Sequence, residues 1–385
     1  MEYMFIIKLA IVLIAAEIGG YISRKLKQPT VLGRLLMGVV IGPSVLGLVE
    51  PSETLTHLSE LGVILLMFIA GLETDLRQLI ESGKSSSLIA MGGVLLPLVL
   101  GTGVSMLFGM SAIEGVFVGV ILCATSVSIS VETLREIDKL KTKQGIAILS
   151  AAVIDDVIGI VLLSLITGFV KPGAGQSVVI VVLKILGFFV LAIFVGIIVV
   201  KLAKWFFRTK VVTGHIAIMG LIFCLVMGFA SEELGVAAIT GAYIAGIILS
   251  VTPFRNKVTK GIQEVSYILL TPVFFVVTGM RVDISYLMKG WVFGLALLAA
   301  AVIGKLVGCG VIAGLAGFNR QESMQIGIGM IPRGEVVLII TDMGLRFGVI
   351  PDSVFAAVIF IVLATTIITP PVLKSLSDRS AKLAA

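Results

Sequence analysis

Charge is scarce in this sequence. Only 14% of its 385 residues are Asp, Glu, Lys or Arg, against about 25% in soluble domains. The two or three soluble domains that such a length would ordinarily make could not be covered with so few charges. An apolar content of 58% and a mean hydropathy of +1.16 exclude a disordered chain as well. Histidine is nearly missing: His57 and His215 are the only two, which excludes a histidine-rich metal site. Cys123, Cys224 and Cys309 are scattered through apolar stretches without CxxC spacing, so neither a disulfide framework nor a thiolate metal cluster is expected. No nucleophile, base and orienting group fall into a set, and we expect neither enzyme chemistry nor a cofactor. A basic lead before the first apolar run is also lacking, so that run reads as a mature helix and not as a cleaved signal.

What the sequence has instead is apolar runs long enough to cross a hydrocarbon core of about 30 Å. They lie near 4–22, 31–49, 58–73, 85–109, 112–131, 143–170, 176–200, 211–229, 235–250, 261–279, 287–315, 321–345 and 351–375. These thirteen segments predict an all-α, polytopic membrane protein whose partner is the lipid bilayer, with 58–73 and 235–250 the marginal spans. No segment between them is long enough for a soluble regulatory domain. With the N-terminus outside, twenty Lys and Arg fall in or beside the inner connections and tail, and four (Lys171, Arg281, Lys289 and Arg346) fall outside. That bias predicts an N-out, C-in topology in the cell membrane. It also accounts for the basic excess of 29 over 23 without nucleic acid.

The two halves resemble each other. Gly71-Leu-Glu-Thr-Asp75 lines up with Gly279-Met-Arg-Val-Asp283 at an offset of 208 residues, and Gly33 and Gly38 fall on Gly241 and Gly246 at the same offset. Six helices (about 4–170), a linking helix (176–200) and six more (about 211–375) would place the second set upside down relative to the first. Inverted repeats of that kind belong to secondary transporters, whose sites lie at the repeat interface near mid-membrane. Channels and membrane enzymes can also carry repeats.

Ionisable residues inside spans cost roughly 2.5–3.5 kcal/mol or more at the bilayer centre, so each needs a reason. Asp155 and Asp156 sit mid-span, about 100° apart around a helix, and can border one cavity. Such a pair suits the exchange of protons for a cation. Lys305 is nearly mid-span too and needs a carboxylate partner or must become neutral, and Asp155 or Asp156 is the obvious partner. Two spans read as interrupted: Ala124-Thr125-Ser126-Val127-Ser128-Ile129-Ser130, and Gly327 to Glu335 with Pro332-Arg333-Gly334 inside it. Broken backbone at membrane depth is tolerated only beside a cavity or inside protein. Arg333 and Glu335 are too close in sequence to face each other along a helix, and each is expected to pair elsewhere and hold the break together. Asp342 reads as a vestibule residue. Lys8, Glu17 and Lys184 read as interfacial or snorkelling charges. Gly38-x-x-x-Gly42 predicts a close helix contact, within a dimer or within the chain.

These residues resemble the second cation:proton antiporter family, and within it the NapA-type sodium/proton antiporters. The resemblance rests on Ala124-Thr-Ser-Val-Ser-Ile-Ser, Ala151-Ala-Val-Ile-Asp-Asp-Val-Ile-Gly, Lys305 and Pro332-Arg-Gly-Glu. Gln28-Pro-Thr-Val-Leu-Gly33 and Gly71-Leu-Glu-Thr-Asp75 add to it. It implies a homodimer exchanging Na+ for H+ by an elevator-like movement, with roles in sodium transport and pH homeostasis. Helices 1–3 and 8–10 would form the dimerisation domain and helices 4–6 and 11–13 the mobile core. Asp156 would be the principal sodium ligand, with Asp155 the partner of Lys305 and a second sodium-binding carboxylate. Thr125 and Ser126 would help line the site, and Arg333 and Glu335 would be structural charges at the second break. Li+ or K+ are open as alternative cations. A sodium-coupled organic-solute symporter of the bile-acid type and an ion channel are the rival readings.

Overall fold

The computed structural model describes residues 4–170, 177–208, 215–281 and 291–384. Among them every regular element is helical. The first half holds α1 (Met4–Lys25), α2 (Thr30–Ile41), α3 (Glu53–Glu73), α4 (Leu76–Leu107), α5 (Ala112–Cys123), α6 (Val127–Glu136) and α7 (Lys143–Val170). After α8 (Val178–Arg208) come α9 (Ile216–Glu233), α10 (Ala238–Ser250), α11 (Arg255–Val265), α12 (Thr271–Met280), α13 (Trp291–Leu315), α14 (Arg320–Gly329), α15 (Glu335–Arg346) and α16 (Asp352–Ala384). Ten of the described helical stretches are long and apolar enough to cross a membrane unaided; Thr30–Ile41, Ala238–Ser250 and Val336–Leu345 are shorter apolar helices.

Helix ends follow from local chemistry. Ser111 caps α5 through a reciprocal box with Glu114, and Asn319 caps α14 through the same box with Glu322. These boxes lie 208 residues apart, as do the starts of α2 and α10, of α5 and α14, and of α6 and α15. Residues 31–49 do not form one span. The helix stops at Ile41 ahead of Gly42-Pro43, and Gly47 turns the chain at φ +60. Arg255 to Met280 runs continuously, but Ser266–Leu270 is a π segment, which accommodates Pro272 in the first turn of α12.

The helices pack in two groups. One contains α1, α2, α3, α9, α10, α11 and α12; the other contains α4, α5, α7, α13, α14 and α16. The linking helix α8 touches α7, α9 and α10, and much of its surface is exposed apolar side chain, including Val190, Ile193, Phe194 and Ile197. In water such a face would be unstable, whereas in a bilayer it is solvated.

Within the first group two helix crossings depend on glycine. A Cβ on Gly71 would lie 2.1 Å from the Tyr243 carbonyl oxygen, and one on Gly246 would lie 2.2 Å from that of Phe68. At the other crossing, a Cβ on Gly38 would lie 2.1 Å from the Val276 oxygen and one on Gly279 2.1 Å from that of Leu35. Four of the glycines paired at the 208-residue offset, Gly38, Gly71, Gly246 and Gly279, are therefore the points at which α3 meets α10 and α2 meets α12. Gly38 is used in a contact inside the chain.

Candidate functional site

Both interrupted segments are broken in the structure. The first leaves helical geometry between Cys123 and Val127, and the second between Gly329 and Glu335. They meet at the breaks: the Ser126 N–H donates to the Pro332 carbonyl at 2.7 Å, and the Ser130 hydroxyl donates to the Gly329 carbonyl at 2.5 Å. A Cβ on Gly334 would lie 2.6 Å from Ser126 Oγ, so a larger residue there would have to displace the Ser126 side chain. Two helix C-termini (α5 and α14) and two N-termini (α6 and α15) thus converge, and their partial charges of opposite sign lie side by side.

Arg333 lies in the second break with no solvent exposure. Its Nη1 donates to the carbonyls of Met330 at 3.2 Å and Ile331 at 2.9 Å, and its Nη2 to Ala301 at 3.4 Å. The guanidinium therefore sits on the negative end of α14 and ties it to α13. From α16, Thr365 accepts the Arg333 backbone N–H at 3.1 Å and Thr366 donates to its carbonyl at 3.1 Å. These threonines escaped the sequence reading. Ala-Thr-Thr inside an apolar helix looks like ordinary self-bonding, and only the juxtaposition with Arg333 gives it meaning. The side chains of Glu335 and Asp342 lie outside those described.

Asp155 and Asp156 lie on α7, 1% and 6% exposed, beside the crossing. Lys305 reaches Asp155 from α13 and donates to Oδ1 at 3.0 Å and Oδ2 at 2.9 Å, and both side chains are fully buried. The Thr125 hydroxyl donates to Asp155 Oδ2 at 2.7 Å from the first break. A low-dielectric ion pair holds only when its remaining lone pairs are satisfied, and Thr125 supplies one such bond. Gly93 on α4 makes the space: a Cβ there would lie 3.4 Å from Lys305 Nζ and 2.5 Å from Cys309 Sγ. Ser126 is present through its backbone, its hydroxyl lying 3.2 Å from that of Ser128. Asp155, Lys305, Thr125 and the Ser126 backbone are thus gathered around the crossing, with Asp156 next in the chain. Glu17 lies elsewhere, 3.6 Å from Arg34.

A second polar cluster ties α6 to α2, α3 and the π segment near one end of the bundle. On α6, Arg135 lies 3.9 Å from Glu73 and 3.6 Å from Glu132, with its guanidinium 3.8 Å above the Tyr267 ring. Glu73 also accepts from Gln263 at 3.1 Å. Glu136 accepts both the backbone N–H and the hydroxyl of Thr30. These contacts went unnoticed in the sequence because most of the residues that make them are far apart in the chain.

Two cavities matter here, one beside α7 and one beside the second break. One, of about 690 Å³, runs between α4, α7, α8 and α10, touching α7 at Ser150, Val153 and Ile154 and carrying Lys201 and Lys204. The other, about 50 Å³, lies among α3, α12, α15 and α16 and is lined by Glu60, Arg281 and Gly334.

A family model described as the transmembrane region of sodium/hydrogen exchangers matches residues 11–378. The chain is 42% identical over 375 residues to the Na(+)/H(+)-K(+) antiporter GerN of Bacillus cereus, covering 97% of this chain and 96% of that one. It is 35% identical over 381 residues to the Na(+)/H(+) antiporter of Enterococcus hirae, with 97% and 98% covered. In fold it is similar to the sodium proton antiporter MjNhaP1 of Methanocaldococcus jannaschii, with a TM-score of 0.76, 19% identity, and 98% and 97% of the chains covered.

Proposed function

The chain belongs to the sodium/hydrogen exchanger family, and from that premise we propose that it exchanges Na+ for H+ across the cell membrane, with Asp156 as the principal cation ligand and Asp155 beside it. The observation that carries this reading is the buried Asp155–Lys305 pair, held by Thr125 at the crossing of two broken helices.

The electrostatics favour exchange. Among the described side chains, the deep charges at the crossing balance: Asp155 and Asp156 against Lys305 and Arg333. An added Na+ or an added proton each leaves one uncompensated charge, and carrying both leaves two. Buried net charge is costly, so the two cargoes compete for the same carboxylates. Sodium arriving at Asp156 draws on the Asp155 carboxylate as well, and Lys305 lets go of it. The lysine then becomes a proton carrier, and more proton charge moves than sodium charge. No resident cofactor takes part.

We read the molecule as two inverted repeats joined by α8, with the N-terminus outside and the C-terminus in the cytoplasm. The group containing α1–α3 and α9–α12 would be the dimerisation side of a homodimer, and the group containing α4–α7 and α13–α16 the moving core. The wide cavity lies toward the end marked by Lys201 and Lys204, and the narrow one toward Glu60 and Arg281. That asymmetry supports an inward-facing state and an elevator-like alternation about the crossing. Potassium is the second reading for the cation, favoured by the GerN relative whose name includes K+.

Proton flux into proteoliposomes containing the purified protein, driven in turn by Na+, Li+ and K+ gradients, tests the proposal. Na+ should drive proton movement, and it should respond to a clamped membrane potential. Flux unaffected by voltage would remove Lys305 from the proton count; no cation-driven flux would remove the function.

A further inference from the structure

A cavity of about 1060 Å³ opens at the same end of the bundle as most of the basic residues, away from the crossing. Three lysines line it: Lys84 on α4, Lys141 in the turn before α7, and Lys143 as the first residue of α7. One carboxylate, Glu81, shares its wall. No described carboxylate lies within salt-bridge distance of any of the three lysines, and the Lys143 ammonium rests 4.3 Å above the Phe318 ring. The hydroxyls of Ser82 and Ser85 are already donated to helix carbonyls of α4, which leaves the ammonium groups as the donors that face the cavity.

The rest of the lining is apolar: Leu88, Ile146, Leu315 and Phe318. Leu315 is 80% exposed and Leu88 49%. From there exposed side chains continue along α4 (Met91, Leu95) and α13 (Val311, Val307). A free inorganic anion would use the lysines and leave this apolar surface idle. A cation would be repelled. A molecule with an anionic head and apolar chains uses both parts, and the volume is too large for a bare ion.

We propose that this cavity is a binding site for the phosphate headgroup of an anionic phospholipid, with its acyl chains lying on the exposed faces of α4 and α13. Basic pockets between transmembrane helices are suited to such headgroups. The site would bridge the ends of α4, α7 and α13, the helices that supply Gly93, Asp155 and Lys305 farther along. A bound headgroup would therefore brace the frame of the buried ion pair without touching it. The inference stands on the cavity alone and does not depend on the exchange reading.

The test uses the full-length protein in detergent, with its thermal-unfolding midpoint followed on adding phosphatidylglycerol or phosphatidylcholine in mixed micelles, or inorganic phosphate. The variant is K84Q/K141Q/K143Q, and the charge-matched control is K25Q/K257Q/K260Q, whose lysines are exposed elsewhere. Phosphatidylglycerol should raise the midpoint of wild type and control alike, and the rise should be lost in the cavity variant. Native mass spectrometry of the single variant K143Q should show fewer retained phosphatidylglycerol molecules, which covers the case in which the triple variant fails to fold. An equal rise in the cavity variant, an equal loss in the control, or an equal rise with phosphatidylcholine would overturn the proposal. So would inorganic phosphate reproducing the effect, since that assigns the site to a free anion.

Discussion

Lys305 and Asp155 carry opposite charges with both side chains fully buried, and neither is tolerable alone. Removing one partner from a buried pair strands the other, at a cost of about 3–5 kcal/mol, whereas removing both can be nearly neutral. Lys305→Gln and Asp155→Asn should each lower the thermal-unfolding midpoint clearly, and the double variant should recover much of the loss. Additive losses in the double variant would mean that the pair does not act as a unit. Residue chemistry was the most legible level of this sequence. A charge inside an apolar run is conspicuous, and the expense of burying it names its kind of partner. That ground gives Lys305 either Asp155 or Asp156 as its partner, and only the family resemblance singles out Asp155. The same logic did not reach Thr365 and Thr366, because hydroxyls in membrane helices usually bond to their own backbone, as Thr365 also does with Ile361 at 2.7 Å.

At the scale of the element, glycine decides how closely helices approach. Gly246→Val would drive side-chain carbon into the Phe68 carbonyl, and we expect it to abolish monodisperse protein on size-exclusion chromatography. Gly187→Ala on α8, where a new Cβ meets nothing within 4 Å, should be tolerated and serves as the comparison. Equal behaviour of the two variants would contradict the packing argument. Apolar runs located the helices but shortened several of them. The predicted 85–109 became Leu76–Leu107, and 261–279 became a helical run from Arg255. The added turns, such as Leu76–Lys84 and Arg255–Lys260, are polar and lie outside the apolar runs, so hydropathy passes over them while backbone hydrogen bonding continues. The opposite error at 31–49 came from counting the apolar residues beyond Gly42-Pro43 as helix.

At the scale of the whole molecule, the two helix groups must be joined firmly enough to define a state and loosely enough to leave it. Arg135 holds α6 to α3 through Glu73, and to the π segment between α11 and α12 through Tyr267. If this arrangement is the inward-facing one, Arg135→Gln should depopulate it. A cysteine at Val153 in the 690 Å³ cavity reports that population, and Cys123, Cys224 and Cys309 are buried and should stay silent. Labelling of Val153→Cys by a membrane-impermeant thiol reagent from the cytoplasmic side should slow when Arg135 is replaced, since a loss of about 1 kcal/mol lowers the ratio of inward- to outward-facing molecules about five-fold. An unchanged or faster rate would separate the cluster from the conformational equilibrium. Little of this was readable in the sequence, because Glu73, Arg135 and Tyr267 are far apart in the chain and each alone fits a membrane surface.

The central claim is that Asp156 is where Na+ and H+ compete, and sodium-driven proton flux in proteoliposomes of wild type and Asp156→Asn measures it most directly. The account predicts robust flux from the wild type and none above the protein-free background from the variant, with both proteins folded and equally reconstituted. Sodium-driven flux persisting in Asp156→Asn would contradict it.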